Sequence, residues 1–313
     1  MPEVLLSICI PTYNRAKNLE DTLISIVQQR RFQETDDVEI VISDNCSGDN
    51  TGNVSEKFAA LYKEKIRYFR NTENISDANF EKVLSYGKGQ YLKLNNDTLI
   101  HNANSLDRLI EIIKANAVTK NIILFPNGLM KSKNEVFICN DLNSFVKNVS
   151  YWSTWIGCFG IWKDDYNSIP DFNRNVALHL VQADTLFRLI SSGRSVIVVN
   201  SCFFDSVYPV SKGGYNVYEV FVTNYIGMLE EYQKKNQISR VTLFNEKTKL
   251  MIHFLVPRTI QMLVKSDLYV FSYNKVLTTV LNKYKFHPVL LVVLFYLPLR
   301  ILLAYFKMFI KRL

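Results

Sequence analysis

Short apolar runs alternating with amphipathic stretches constrain this chain more than any other feature. Leu5 to Ile10, Val38 to Ile42, Ile66 to Arg70 and Gln90 to Leu94 have the length and composition of strands. Between them, Asn18 to Gln29 repeats Leu19, Leu23, Ile26 and Val27 at helical spacing, and helices are expected again at Asn53 to Lys63 and Asp77 to Tyr86. This alternation predicts a largely parallel, doubly wound sheet. In such a sheet the loops that follow the strands gather along one edge, which is where ligands bind. Two strands run into polar turns of this kind. The first continues into Pro11, Thr12, Tyr13, Asn14 and Arg15, and the second into Asp44-Asn45-Cys46-Ser47-Gly48-Asp49-Asn50-Thr51.

Further along, Gly87-Lys88-Gly89 is expected to end the third helix, since glycine accepts the left-handed cap conformation. A helix at Leu106 to Lys114 and strands at Asn121 to Phe125 and Glu135 to Cys139 follow, the last nearer a sheet edge. Tyr151 to Trp162 is aromatic and glycine-containing, Val181 to Ser191 reads as a helix opened near Asp184, and Val196 to Asn200 as a last buried strand. Pro209 to Asn216 is expected to be a loop. Tyr218 to Lys235 and Glu246 to Lys265 are longer helical patterns. The expected organisation is an α/β domain over 1–215, a helical extension over 216–286 and a membrane-associating segment over 287–313.

With 313 residues, 48% of them hydrophobic, the chain can bury a full core. Its five cysteines are scattered and odd in number, which argues against a zinc site or a disulfide framework and for a reducing compartment. His101, His179, His253 and His287 show no ligand spacing.

The net charge of +8 is unevenly placed. From Glu246 to Leu313 there are eleven Lys or Arg against Glu246 and Asp267, a balance of +9, so the remainder comes to −1. The basic residues accompany an apolar stretch, a pattern that fits an anionic membrane surface better than nucleic acid. Pro288 to Leu299 is apolar without interruption, but shorter than the roughly 20 residues a spanning helix needs. Beyond Pro298, Arg300, Lys307 and Lys311 fall close together on a helical wheel, with Ile301, Leu302, Phe306 and Phe309 mainly elsewhere. This is the pattern of an interfacial helix. A span, a re-entrant hairpin or a helix packed within the protein are the alternatives. Val4 to Ile10 is too short for a signal peptide, so the expected location is cytoplasmic, peripheral on the inner face of the plasma membrane.

Taken together, Ser7 to Arg15, the Asp44 to Thr51 turn, the Asn74 to Tyr91 helix and glycine turn, and Asn95-Asn96-Asp97 resemble the family-2 glycosyltransferases of the GT-A fold. The likeness runs over roughly residues 4 to 215. Within that family the chain looks most like the abequosyltransferase type that builds bacterial O-antigen or capsule repeats. The resemblance implies a Rossmann-like, mostly parallel mixed sheet flanked by helices, with a helical C-terminal extension. It also implies an inverting transfer from a nucleotide-diphosphate sugar to a glycan acceptor linked to polyprenyl diphosphate.

Site residues follow from the same resemblance. Pro11, Thr12, Tyr13 and Asn14 would lie under the nucleotide base, Arg15 could offer charge to a phosphate, and Asp44 would accept a hydrogen bond from the base. Asp97 matches the metal-binding acid for Mn2+ or Mg2+, whereas Asn95 and Asn96 stand where acids are common. Asp184 matches the base of inverting members, with helix capping as its bland alternative. Trp152, Trp155 and His179 are candidates for acceptor contacts, core packing explaining the tryptophans equally well. Lys212, in Lys212-Gly213-Gly214-Tyr215, resembles a loop cation closing over the diphosphate. Asp49 is expected to be structural, at the entry to the next helix. A catalytically silent nucleotide-sugar binder is the competing reading. A nucleotidyltransferase would need a glycine-rich, basic phosphate loop near the N-terminus, which is missing.

Overall fold

The computed structural model describes residues 4–132, 134–207, 212–264, 268–272 and 274–310. The chain forms two compact units, Met1–Asp141 with Trp152–Pro209, and Leu142–Tyr151 with Val210–Leu313.

The first unit begins with β1 (Leu6–Thr12), α1 (Ala16–Val27), α2 (Arg30–Glu34), β2 (Val38–Asp44), α3 (Thr51–Leu61), β3 (Ile66–Arg70), α4 (Ala78–Tyr86) and β4 (Tyr91–Leu94). It continues with β5 (Leu99–His101), α5 (Ser105–Ala115), β6 (Ile122–Leu124) and β7 (Val136–Cys139). Helix α6 (Leu142–Val149) belongs to the second unit. After it come β8 (Gly160–Trp162), α7 (Lys163–Ser168), α8 (Val181–Ser191), β9 (Val196–Val199) and β10 (Phe204–Ser206).

The main sheet has the order β3-β2-β1-β4-β8. Its β1–β2, β2–β3 and β1–β4 pairs are parallel and β4–β8 is antiparallel. Every residue of β1 and β2 is buried, because helices cover both faces of central parallel strands; this is why both read as near-continuous apolar runs. The chain winds from β1 outward to β3 and then returns to β4 on the other side of β1. The strand order therefore reverses beside β1, and in open α/β sheets the carboxyl ends of the strands at such a reversal, here β1 and β4, are where the ligand crevice lies. Strands β6-β9-β7 form a second, smaller sheet with β7 at its edge, and β5 pairs with β10.

Helix α1 packs the predicted Leu19, Leu23, Ile26 and Val27 inward. The glycine turn differs from expectation. Gly87 caps α4 with extended backbone, φ −62° and ψ 134°, so the left-handed geometry is not used. Space is the reason instead: a Cβ on Gly89 would lie 2.7 Å from the Ser7 backbone nitrogen, and one on Gly87 would lie 2.5 Å from Leu92. At these two positions the turn passes close to Ser7 of β1 and Leu92 of β4, whereas the Lys88 side chain between them is exposed.

The second unit adds β11 (Lys212–Asn216), α9 (Ile226–Lys234), α10 (Arg240–Lys249), α11 (Val256–Val264), β12 (Tyr269–Ser272), α12 (Val276–Tyr284) and α13 (Val289–Ile310). Residues 212–216 were expected to be loop; they pair in parallel with β12, Lys212 opposite Tyr269. Positions 209–211 of that expected loop lie outside the described residues. The two long helical patterns are interrupted by π-helical segments at Glu219–Tyr225 and Leu250–Leu255. Ser239 caps α10, its hydroxyl accepting from the Thr242 N–H at 3.0 Å. Between these helices Glu246 is buried, its Oε1 accepting from Ser150 Oγ (2.8 Å) and Tyr225 Oη (2.9 Å).

Helix α13 runs continuously through Pro298. Leu291, Leu294, Phe295, Leu299, Leu302 and Phe306 are each more than half exposed, and their three- and four-residue spacing places them on one stripe. No helix among the described residues is long and apolar enough to cross a membrane. Lys311 and the Lys307 side chain lie outside the described residues.

Candidate active site

The crevice is built around the end of β1. Parallel register sets Thr12 directly opposite Asp44 at the end of β2. On its other side β4 runs into Asn95-Asn96-Asp97, and Thr12 Oγ1 donates to Asp97 Oδ2 at 2.8 Å. One threonine thus sits between two carboxylates separated by 53 residues of sequence.

Asp44 is fully buried and its oxygens are taken by three donors. The Ser47 N–H donates to Oδ1 at 2.9 Å, and Tyr68 Oη and Arg70 Nη1 each donate to Oδ2 at 3.1 Å. Both side-chain donors stand on β3, the neighbour of β2. Asp97 is 1% exposed. Burial pushes its carboxyl above the usual range, while the Arg15 guanidinium at 2.9 Å from Oδ1 and the Thr12 hydroxyl pull the other way.

The turns after β1 and β2 are laced together. Asn14, with φ +51°, donates its backbone N–H to Ser47 Oγ (2.9 Å) and accepts from the Gly48 N–H (2.7 Å). Asp49 Oδ1 accepts the Thr51 N–H at 3.0 Å and Oδ2 the Ala16 N–H at 3.2 Å. A single carboxylate thereby serves the first turns of both α3 and α1. Burial opposes its charge, yet these hydrogen bonds hold it below the ordinary carboxylate range. Asn50 occupies the cap position of α3 but makes no side-chain cap bond. Pro11 is buried within β1. Tyr13, at 44% exposure, is the aromatic side chain of this segment and is open to a planar ligand.

The two asparagines diverge. Asn95 is fully buried and faces inward, its Oδ1 3.2 Å from His101 Nε2, so it is not offered at the crevice. Asn96 Oδ1 is a buried oxygen with no hydrogen-bond partner. It lies where a Cβ on Gly157 would come within 2.9 Å, and the Trp155 ring crowds the same point at 2.7 Å. Lys93, just before this turn, was not anticipated. It is wholly buried, its ammonium donating to the Gly157 carbonyl (2.9 Å) and the Leu94 carbonyl (3.1 Å) above the Phe204 ring (4.8 Å). Burial brings it down to about 8. A lysine amid Tyr91, Leu92 and Leu94 was the signal in the sequence.

Among the described residues no group of three or more His, Cys, Asp or Glu could hold a metal. The Asp97 carboxylate, engaged by Arg15 and Thr12, and the orphaned Asn96 Oδ1 are hard donors of the kind magnesium and manganese take. They fit a divalent cation as a partial set, one carboxylate completed by substrate phosphates.

Asp184 lies in the first turn of α8, 1% exposed. Its partners are side chains, so it does not cap the helix. Arg174 spans both oxygens (2.9 and 2.6 Å), Asn175 donates to Oδ1 (3.0 Å), and Arg188 Nε lies 3.1 Å from Oδ2. This clamp was invisible in the sequence. His179 has φ +58°, and its Nδ1 is 3.0 Å from Asp77 Oδ2. Burial raises the Asp77 carboxyl, with His179 opposing. Loop 74–76, just before Asp77, is tied to Asn45 by hydrogen bonds at Asn74, Ile75 and Ser76, so this pair stands on the same sheet edge. Trp152 lies in the 3-10 turn Ser150–Thr154, and Trp155 precedes the next, partly exposed and packed against the core. Lys212 opens β11 in the second unit, and its side chain is not among those described.

Residues 7–162 match the family model described as glycosyl transferase family 2. A segment of the chain is 43% identical over 89 residues to abequosyltransferase RfbV of Salmonella typhimurium, covering 28% of this chain and 26% of that protein. An uncharacterized protein of Mycobacterium tuberculosis is 33% identical over 90 residues, 28% of this chain and 25% of that one. The match thus spans about a quarter of each curated relative. Two solved structures share the fold at 14% identity. Mannosyltransferase PcManGT from Pyrobaculum calidifontis, in complex with GDP-Man and Mn2+, gives a TM-score of 0.54 over 79% of this chain and 70% of its own. S. aureus TarS 1-349 in complex with UDP-GlcNAc gives 0.53 over 83% and 75%.

Proposed function

The chain belongs to glycosyl transferase family 2, with the GT-A fold, and from that premise we propose that it moves a sugar from a nucleotide-diphosphate donor to a glycan hydroxyl in bacterial surface polysaccharide synthesis. The observation that carries this reading is the position of Thr12, in register with Asp44 and hydrogen-bonded to Asp97 at the point where the strand order reverses. A sugar nucleotide laid across that crevice meets the open Tyr13 and the Asp44 turn at its base end. Arg15 and Asp97 meet its diphosphate.

The reaction is an inverting displacement. The acceptor oxygen forms a bond to the anomeric carbon as the bond to the diphosphate oxygen breaks, the nucleoside diphosphate leaving with the electron pair. Negative charge grows on the leaving oxygen, and Arg15, beside Asp97, offers it a cation. A divalent cation held by Asp97, with Asn96 beside it, would supply further neutralisation of that charge when bound. Asp184 takes the acceptor proton, which requires the half-exposed Arg174 (40%) to release it first. The clamp keeps the carboxylate idle until an acceptor enters.

The second unit would set the enzyme against an anionic membrane where a polyprenyl-linked acceptor lies. The exposed apolar stripe of α13 and the basic excess of residues 246–313 support this. A screen of UDP-, GDP-, CDP- and dTDP-sugars with Mn2+ or Mg2+ for slow release of nucleoside diphosphate tests this reading. Release from at least one donor is expected; a folded protein that binds donors but never releases diphosphate would be a silent binder.

A further inference from the structure

We infer that Arg15 and a donor-borne divalent cation are alternative counter-ions of the Asp97 carboxylate, so that the metal enters only when a diphosphate draws the guanidinium away. This deepens the nucleotide-sugar reading and rests on it, since it names what controls occupancy of that site.

Asp97 is buried, with Oδ1 given to Arg15 and Oδ2 to Thr12. The two partners are not equally able to leave. Thr12 is a strand residue, locked in register opposite Asp44. Arg15 follows the strand, and its side chain is 37% exposed. Its backbone is pinned by the N–H bond to Thr51 Oγ1 at 3.0 Å, so the guanidinium can swing about a fixed Cα. A guanidinium grips phosphate oxygens with the same fork it uses on a carboxylate. An arriving diphosphate therefore offers Arg15 a second and more highly charged partner.

A metal ion arriving alone meets the opposite situation. It must share one buried carboxylate with a guanidinium, and two cations at that distance repel strongly where water is excluded. No cage of three or more metal-binding side chains among the described residues compensates. Metal and diphosphate should accordingly bind with strong mutual dependence, each raising the affinity of the other by the same factor. Arg15 is the element that creates the dependence.

The test is Mn2+ binding to the full chain, read from the electron paramagnetic resonance signal of the free ion, with and without UDP, GDP and CDP. Wild type, R15M, R15K and D97N are compared. Without nucleotide, R15M is expected to bind Mn2+ about tenfold more tightly than wild type, within the usual range of coupling factors, and the enhancement by nucleotide should shrink accordingly. R15K keeps a charge but loses the fork, so it gives an intermediate gain and decides the matter if R15M does not fold. D97N should bind Mn2+ no better than wild type in either condition. Arginine variants that bind nucleotide but take up Mn2+ no more tightly than wild type overturn the inference alone. Failure of wild type to bind any nucleotide overturns the reading beneath it, and the inference with it.

Discussion

Glu246 offers a measurement in which pH isolates one side chain. Burial in the second unit moves its carboxyl from 4.5 up to about 7, against the hydrogen bonds from Ser150 and Tyr225. At roughly 1.4 kcal/mol for each tenfold change in proton affinity, ionising it inside the fold costs about 3 kcal/mol. The unfolded chain gives up this proton near 4.5 and the folded chain near 7, so between those values the folded state holds more protons. Stability from this group therefore falls as pH rises through that window and is fully lost above about 7. Glu246→Gln cannot ionise. Both forms still present a neutral acceptor to Ser150 and Tyr225 at pH 5, so most other costs of the substitution cancel when two pH values are compared. Relative to wild type, the variant should gain about 2.5 kcal/mol between pH 5 and pH 8, because the unfolded carboxyl is already largely ionised at pH 5. Trp152, Trp155 and Trp162 all lie in the first unit, so tryptophan fluorescence would report the wrong half. Hydrogen exchange of peptides covering residues 219–255, compared between variant and wild type at each pH, reports the right one. A difference that stays constant within about 1 kcal/mol from pH 5 to pH 8 would show that the carboxylate is solvated and the burial argument mistaken.

Asp97→Ala should abolish donor turnover while leaving a folded protein; near-normal release of nucleoside diphosphate by this variant would remove Asp97 from the site. Asp184→Asn should lose turnover and also about 2–3 kcal/mol of stability, the buried-pair penalty reduced because Arg174 is partly solvated, as read from urea unfolding beside steady-state rates. Retained turnover with normal donor binding would put the base elsewhere. Removing residues 287–313 should weaken sedimentation with vesicles containing phosphatidylglycerol and leave donor hydrolysis in solution unchanged; equal sedimentation would count against α13 as the contact.

What the sequence disclosed was mostly what neighbours along the chain determine. The apolar runs of β1 and β2, the Leu19-Leu23-Ile26 stripe of α1 and the helix-entry role of Asp49 depend on local spacing and short-range hydrogen bonds, and all are found as expected. The partners of the candidate acids were hidden. Tyr68 and Arg70 reach Asp44 only because β3 lies beside β2, and Arg174 reaches Asp184 through a loop whose path no periodicity encodes. Gly87 and Gly89 were expected for their torsional freedom and turned out to be required by crowding against Ser7 and Leu92, a tertiary fact. Residues 212–216 read as loop because glycines weaken strand propensity, yet pairing with β12 overrides it. The long helical patterns also hid two π segments.

Asp49 holds Ala16 and Thr51 with one carboxylate, and this bears on any attempt to retune the crevice. The helices on either side of the opening hang from a common pin, so widening one bank drags on its opposite. Selections for altered donor choice that touch the start of α1 should accordingly yield second changes near Thr51, even when only one side was randomised.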